Sequence, residues 1–555
     1  MTCLILLFPF KAVAYEAGQI NNIFGIHLAQ PHLEDLKTVS ELVNSNGGDW
    51  GYITLVIEDH DRNIGKWQDI FNKLRSYHLI PIIRLATSPD GDNWRRPKKE
   101  DAEPWVNFLN SLNWVTKDRY IILFNEPNHS REWGGEVDPK NYGEVAMTFA
   151  RKLKEKNADY FVMLAGLDAS APSYRPSLED EYEFFKEMFS GVSKDDFEKY
   201  IDGLSSHSYP NPAFAGSPSA WGKGTIHTYV WELETLAGMG ITKKLPVFIT
   251  ETGWSADSLS RGTIAAYFQT AFSEWANDER IVAVTPFVFD YQAAPFLAFS
   301  WKQFGSADFY EQYYAVKSMA KKKGVPRQIE RGTLTLDLPK ELLVNSSYHF
   351  QIHLKNEGQA WWDKSNGYHL KLVDYPENNY FFSDLVNIQP GESADVDLFF
   401  KTTDKLEEKK IQVLLVKNDQ DLVKGPIWIY STVAPPSISF TTALWPKLKT
   451  NGEDFELQVF DTKDNVLFKK TGVIVQNGKG TVEVIQNVAL GVRYRIVLLK
   501  PYYLPRQQFV VFKKGVNSLT FKKMLPFDFN LDGKADGEDF LTLLRTPGLL
   551  RLFGL

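Results

Sequence analysis

Between residues 23 and 325, short apolar runs alternate with longer segments whose apolar residues recur at helical spacing, and the alternation repeats eight times. The runs are 24–29, 52–57, 80–86, 120–124, 161–165, 203–207, 247–250 and 281–289. The helical patterns cover 33–43, 67–77, 104–114, 142–156, 178–189, 225–236, 263–275 and 309–321. In the second of these, Trp67, Ile70, Phe71, Leu74 and Tyr77 fall on one helix face. Such alternation is the α/β signature, and eight strand–helix units predict a closed (β/α)8 TIM barrel over 20–326. A doubly wound sheet would want Gly-x-Gly-x-x-Gly after the first strand, and none stands there.

In a barrel of this kind the chemistry sits at the C-terminal ends of the strands. The fourth run ends in Phe124-Asn125-Glu126-Pro127-Asn128, where Pro127 has no N–H to continue a ladder. The seventh ends in Thr250-Glu251-Thr252-Gly253-Trp254. Either acid alone reads as a chance carboxylate at the rim of a buried strand. Two of them across one end of a barrel read as a glycosidase pair. Glu126 is then the acid/base and Glu251 the nucleophile. Arg84 and Tyr209, by strand-end position, are the donors that keep Glu251 ionised, and Asn125 is placed to hold the sugar hydroxyl beside the attacked carbon. His27 ends the first strand and is a candidate substrate contact. His207 either orients Glu251, contacts substrate or is a satisfied structural residue. Trp133, Trp254 and Trp301 are candidates for stacking on sugar rings, against plain loop packing. His129 and Glu132 complete a polar rim after strand four. The histidines 27, 60, 129 and 207 stand on different strands without a His-x-x-x-His pair, so no cofactor is expected for catalysis. No Gly-x-Ser-x-Gly elbow supports an esterase. The rival readings are a non-catalytic carbohydrate-binding barrel and a transglycosylase using the same site.

The chain of 555 residues is too long for one core. After the run Lys321-Lys322-Lys323 and Pro326 the pattern changes to strands and turns. A β-sandwich is expected over 332–434, the pair Pro435-Pro436 marks a joint, and a second β-sandwich is expected over 437–522. In the tail, Asp528, Asn530, Asp532, Asp536 and Asp539 stand at loop positions 1, 3, 5, 9 and 12, with Gly533 at 6. That is calcium-loop spacing with Asp in place of the usual final Glu.

A net charge of −7 gives no footprint for nucleic acid. Residues 1–14 have a short apolar core before Ala12-Val13-Ala14, a small-x-small pattern read as a secretory signal. Cys3, the only cysteine, lies within it. The expected location is therefore extracellular, with no membrane-spanning run.

Residues 23–325 resemble the clan A retaining glycoside hydrolases, in which an Asn-Glu pair ends strand four and a Glu ends strand seven. The Phe-Asn125-Glu126-Pro-Asn form is similar to families 39 and 5. The resemblance implies acid/base and nucleophile roles for Glu126 and Glu251, and a strand-six histidine and tyrosine matched by His207 and Tyr209. Many clan members place a Trp at the end of strand eight; here Phe289 stands there, with Trp301 in the following loop. Asn356-Glu-Gly358 and Trp361 resemble Ig-like modules of secreted hydrolases. The tail 526–547 resembles a dockerin calcium loop, which implies bound calcium and a cohesin-like partner beside the carbohydrate substrate.

Overall fold

The computed structural model describes residues 21–446 and 449–549. The expected signal segment 1–14 lies outside the described residues. The chain divides into two compact units, one ending at Ile329 and one beginning at Glu330.

The first unit carries eight strands: β1 (Gly25–Leu28), β2 (Gly51–Glu58), β3 (Leu79–Ala86), β4 (Arg119–Leu123), β5 (Tyr160–Leu164), β6 (Leu204–His207), β7 (Val247–Glu251) and β8 (Ile281–Val284). All of their pairings are parallel. Strands β1 to β5 form one sheet and β6 to β8 another. Single parallel bridges, Met163 to Gly203 and Phe24 to Val284, join the two sheets at both seams, so the eight strands form a closed ring. Helices follow the strands: α1 (Asp35–Val43), α2 (Ile64–Ser76), α3 (Ala102–Ser111), α4 (Pro139–Lys156), α5 (Glu181–Met188), α6 (Lys194–Tyr200), α7 (Thr228–Gly238), α8 (Arg261–Trp275) and α9 (Glu311–Ser318).

Side chains alternate across each strand, and this splits the core in two. Tyr52, Ile80, Ile82, Tyr120, Ile122, Met163, Phe248 and Val282 fill the interior of the ring. Their neighbours Ile53, Leu55, Ile83, Ile121, Val162 and Ile249 face the helices in a separate, larger core. The ring is thus a packed plug rather than a channel. Arg84 continues the interior series Ile80, Ile82 by two residues, and that parity carries a charged side chain to the top of the plug.

Strand eight differs from the expectation 281–289. Its ladder stops at Val284, because the apolar residues beyond it, Phe287 to Phe289, belong to a connecting loop. Phe289 is fully buried against Phe309 and does not stand at the barrel mouth. Phe287 does.

The second unit is all β up to its last helix. Two four-stranded sheets enclose one core. Gly332–Leu336 (β9), Ser347–Asn356 (β11), Tyr380–Phe382 (β13) and Ser393–Lys401 (β14) make one sheet; Glu341–Leu343 (β10), Tyr368–Leu372 (β12), Glu408–Lys417 (β15) and Gln420–Val433 (β16) make the other. Leu354, Leu398, Leu372 and Val413 from both sheets meet in that core. Asn356 is buried and clamps its own turn, donating to the carbonyls of Ala360 and Ile388 and accepting from the Gly358 amide. The fully buried tryptophan here is Trp362, which donates to Glu330, and not Trp361.

The second sandwich expected over 437–522 is instead one continuous eight-stranded sheet: Ser437–Thr441 (β17), Gly452–Phe460 (β18), Val466–Gln476 (β19), Lys479–Val482 (β20), Arg493–Lys500 (β21), Tyr502–Val511 (β22), Val516–Thr520 (β23) and Pro526–Asp528 (β24). It curls around a single core of residues such as Phe440, Phe455, Val475, Ile496 and Met524. Alternation of period two is the same whether facing strands lie in two sheets or on one curled sheet, so the pattern did not separate them. The sheet runs past residue 522 into β24, and the tail ends in α10 (Gly537–Arg545).

Candidate active site

Where β4 ends, the backbone leaves the ladder through two non-glycine residues of positive φ, Phe124 at 75° and Glu126 at 27°. Such conformations cost roughly 1–3 kcal/mol each and persist where the surroundings over-determine them. The Glu126 amide donates to the Gly166 carbonyl at 3.2 Å, and Asn128 is fully buried with its amide on the carbonyls of Asp168 and Glu179. The corner is therefore held on both sides. It turns Asn125 and Glu126 into a cavity of about 350 Å³ at the C-terminal ends of the strands, within the usual range for small-ligand sites.

Glu251 faces Glu126 from the end of β7. A register shift between β6 and β7 brings it level with His207. Both of its oxygens are occupied: Arg84 Nη1 donates to Oε1 and the Tyr209 hydroxyl to Oε2 at 3.0 Å. The same Arg84 nitrogen reaches Asn125 Oδ1 at 2.7 Å. Burial alone would push Glu251 up. The fields of His207 and Arg84 outweigh that and hold the carboxyl far below the ordinary range. Burial and then the Glu251 charge push the Tyr209 phenol well up, so it stays a donor.

His207 stands between the two acids. Its Nδ1 is 2.7 Å from Glu126 Oε1 and 3.9 Å from Glu251 Oε2. Burial lowers the imidazole, but Glu251 and the bond to Glu126 prevail and raise it above its usual value. Its ring is fully buried and is not part of the cavity lining. His27 is also no substrate contact. It is fully enclosed beneath the site, its Nε2 3.7 Å from Glu251 Oε1, with neither ring nitrogen hydrogen-bonded. Burial and then the Arg84 charge lower it to about 3, so it is a neutral ring against the base of Glu251.

The three tryptophans expected to stack on sugar are buried. Trp133 packs on Phe124 and Tyr142 and donates to Asn141. Trp254 packs on Phe268 and donates to the Gly216 carbonyl. Trp301 packs on that same Phe268. None lines the cavity or offers it an open face. Beside Phe124 and Tyr209, the aromatic residues of the lining are Trp94, Phe214, Phe287, Phe296 and Phe299. They come from loops whose aromatics carry no periodic signal, so nothing in the sequence set them apart from the buried tryptophans. His129, Glu132 and Asp168 complete the lining. His129 Nε2 lies 2.9 Å from Asp168 Oδ2.

One ligand atom each from Glu126, His207 and Glu251 lie within 4.8 Å of one another, close enough to hold a metal ion. As arranged, His207 bonds Glu126, and Glu251 bonds Arg84 and Tyr209. The tail acids form no such cluster among the described residues. Asp539 spends both oxygens on backbone amides, Oδ1 on Phe529 and Asn530 and Oδ2 on Asp536. Asp536 caps α10 through the Glu538 amide. Asp532 Oδ1 accepts from the Lys534 amide and Asn530 Oδ1 from that of Asp532. Asp528 is buried, and its Oδ1 has no partner. One loop and one helix are present here, and among the described residues no feature of the tail speaks for a cohesin-like partner. Among the described residues, no helix is long and apolar enough to cross a membrane.

The chain matches no protein-family profile and no curated protein sequence. Among solved structures it is similar to a family 39 glycoside hydrolase from the gut symbiont Bacteroides cellulosilyticus WH2, at 15% identity and a TM-score of 0.38, over 71% of this chain and 81% of that one. It is also similar to a β-mannanase from Thermomonospora fusca, at 12% identity and a TM-score of 0.37, over 54% of this chain and 92% of that one. A GH128 endo-β-1,3-glucanase from Sorangium cellulosum gives 13% identity and a TM-score of 0.36, over 53% and 97%. At such scores these likenesses say nothing of the reaction of this chain.

Proposed function

We propose that the first unit is a retaining β-glycoside hydrolase acting on a polysaccharide or oligosaccharide. The observation that carries this reading is the spacing of the two acids: oxygen atoms of Glu126 and Glu251 lie within 4.8 Å of one another. Retaining pairs stand about 5–5.5 Å apart, whereas inverting pairs need about 6.5–9.5 Å to admit water. Glu251, kept ionised by the fields of His207 and Arg84 and by the Tyr209 hydrogen bond, attacks the anomeric carbon as the glycosidic bond breaks. Glu126 gives its proton to the leaving oxygen. It then takes one from the water that releases the glycosyl-enzyme ester. His207, held above its ordinary pKa, shares a proton along its contact with Glu126 and orients both acids. Asn125, fixed by Arg84, presents its amide to the hydroxyl next to the attacked carbon.

The experiment is turnover of aryl β-glycosides and a polysaccharide panel by wild type and Glu251→Ala. Activity is expected in the wild type alone, with azide restoring part of it in the variant as a glycosyl azide of inverted anomeric configuration. Equal activity in both proteins would overturn the assignment.

For the tail we propose a calcium loop. It rests on the ligand spacing and on the buried, unpartnered Asp528 Oδ1. Asp528, Asn530 and Asp532 would hold the ion, with Asp536 adding its second oxygen. Asp539, tied to backbone amides, shapes the loop instead.

A further inference from the structure

The catalytic cavity holds a third carboxyl, Glu132, that the double displacement does not use. Asn125, beside Glu126 in the lining, spends its amide oxygen on Arg84. Glu132 lines the same cavity as Asn125, Glu126 and Glu251. The charges lining this space are Glu126, Glu132, Asp168 and Glu251 against Arg84 and His129. Neither cation is free. Arg84 is bonded to Glu251 and Asn125, and His129 to Asp168. The neighbouring arginines also turn away, Arg95 to Asp59 and Asp101 and Arg96 to Asp138 and the Trp133 carbonyl. Among the described residues of the lining, each cation is already paired with a carboxylate, and the acids outnumber the cations.

We propose that Glu132 is a specificity-determining residue: from the cavity wall it hydrogen-bonds a hydroxyl of a neutral sugar at the cleaved bond and bars the uronate or sulfated equivalent. This rests on the glycosidase reading of the pocket. The discrimination comes from a built-in repulsion rather than from better contacts to the accepted sugar. Burial, and then the Glu126 charge, push Glu132 up to about 7; Arg84 and Asn125 oppose the rise and Glu251 adds to it. Rising pH therefore charges it, and the repulsion grows.

The test uses phenyl 1-thio-β-glycosides, which a hydrolase binds without ready cleavage. Calorimetric affinities of the glucoside, xyloside and mannoside are compared with that of the glucuronide at pH 5.5 and 8.5, on wild type and Glu132→Gln. At least one neutral probe is expected to bind the wild type about ten-fold or more tightly than the glucuronide, with a gap that widens at pH 8.5. In Glu132→Gln the gap narrows and loses its pH dependence while the neutral probe still binds. A glucuronide bound as tightly as the neutral probes, an unchanged gap in the variant, or no binding of any probe would overturn the proposal. Parallel turnover of the oxygen-linked glycosides tests the underlying reading separately: selective binding without turnover would remove the hydrolase and leave the selectivity standing.

Discussion

A Cβ on Gly166 would lie 2.2 Å from Cδ2 of His207. The imidazole rests on bare backbone, and that same glycine's carbonyl receives the Glu126 amide. One residue after β5 thus sets the height of both partners in the 2.7 Å contact between His207 and Glu126. Gly166→Ala is expected to lower kcat/KM by about 100-fold, the scale of an ångström-sized misplacement. Gly191→Ala, whose added carbon meets nothing closer than 3.7 Å, serves as the control and should leave kcat/KM near wild type.

Glu126→Ala should separate substrates by leaving group. Aryl glycosides with acidic phenols need little protonation and should lose little in the bond-breaking step. Alkyl glycosides or oligosaccharides should lose about 100-fold or more, the usual contribution of a positioned acid. A slope of log kcat/KM against leaving-group pKa steeper than in wild type checks this.

The buried tryptophans and Trp94 should part company. Trp133→Ala or Trp301→Ala is expected to cost about 3–5 kcal/mol of stability, seen as a lower denaturation midpoint. Trp94→Ala should instead raise KM several-fold with little change in melting, because its ring borders the cavity.

His27 makes the first unit acid-sensitive. Burial lowers its pKa to about 3 from an ordinary 6.5, so the unfolded chain takes up this proton first. Between those values the unfolded state binds more protons, and stability falls as pH falls, by up to about 1.4 kcal/mol per unit from this group. The depressed carboxyl of Glu251 acts in the same direction below its unfolded pKa. Denaturant titrations from pH 7 to 4 should show this slope, and His27→Asn should flatten the part above pH 4.5.

Calcium should stabilise the second unit by mass action, about 2.7 kcal/mol at a hundred-fold excess over Kd. Asp528→Asn should remove most of that gain. Melting with calcium and with chelator checks both.

How much of this was legible follows from what each signal measures. The eight strand–helix units were readable because buried parallel strands and amphipathic helices each impose their own period. The paired acids were readable because each ends a strand. Arg84 and Tyr209 meet Glu251 as their strand-end positions implied. The helix Lys194–Tyr200 within the fifth connection went unread, because it is only 7 residues long and buries little beyond Phe197. Phe287 was passed over for Phe289 because an unbroken apolar run gives no mark of where pairing stops. The tryptophans misled because an indole in a loop carries the same letters whether it faces solvent or a neighbour's ring. Glu132 was visible as part of a polar rim, yet its place in one cavity with both acids depends on a backbone corner that no local pattern encodes.

The last strand of the curled sheet bears on how this protein can be divided. Asp528 is the first position of the acidic loop and also a rung of the sheet, paired with Tyr502, while Pro526 pairs with Tyr503. The loop is therefore not a cassette that can be excised or grafted by cutting before Phe527. A cut there removes the rung between Asp528 and Tyr502 and frays the edge of the sheet. A transplant of the loop alone would arrive without the strand that buries its leading aspartate.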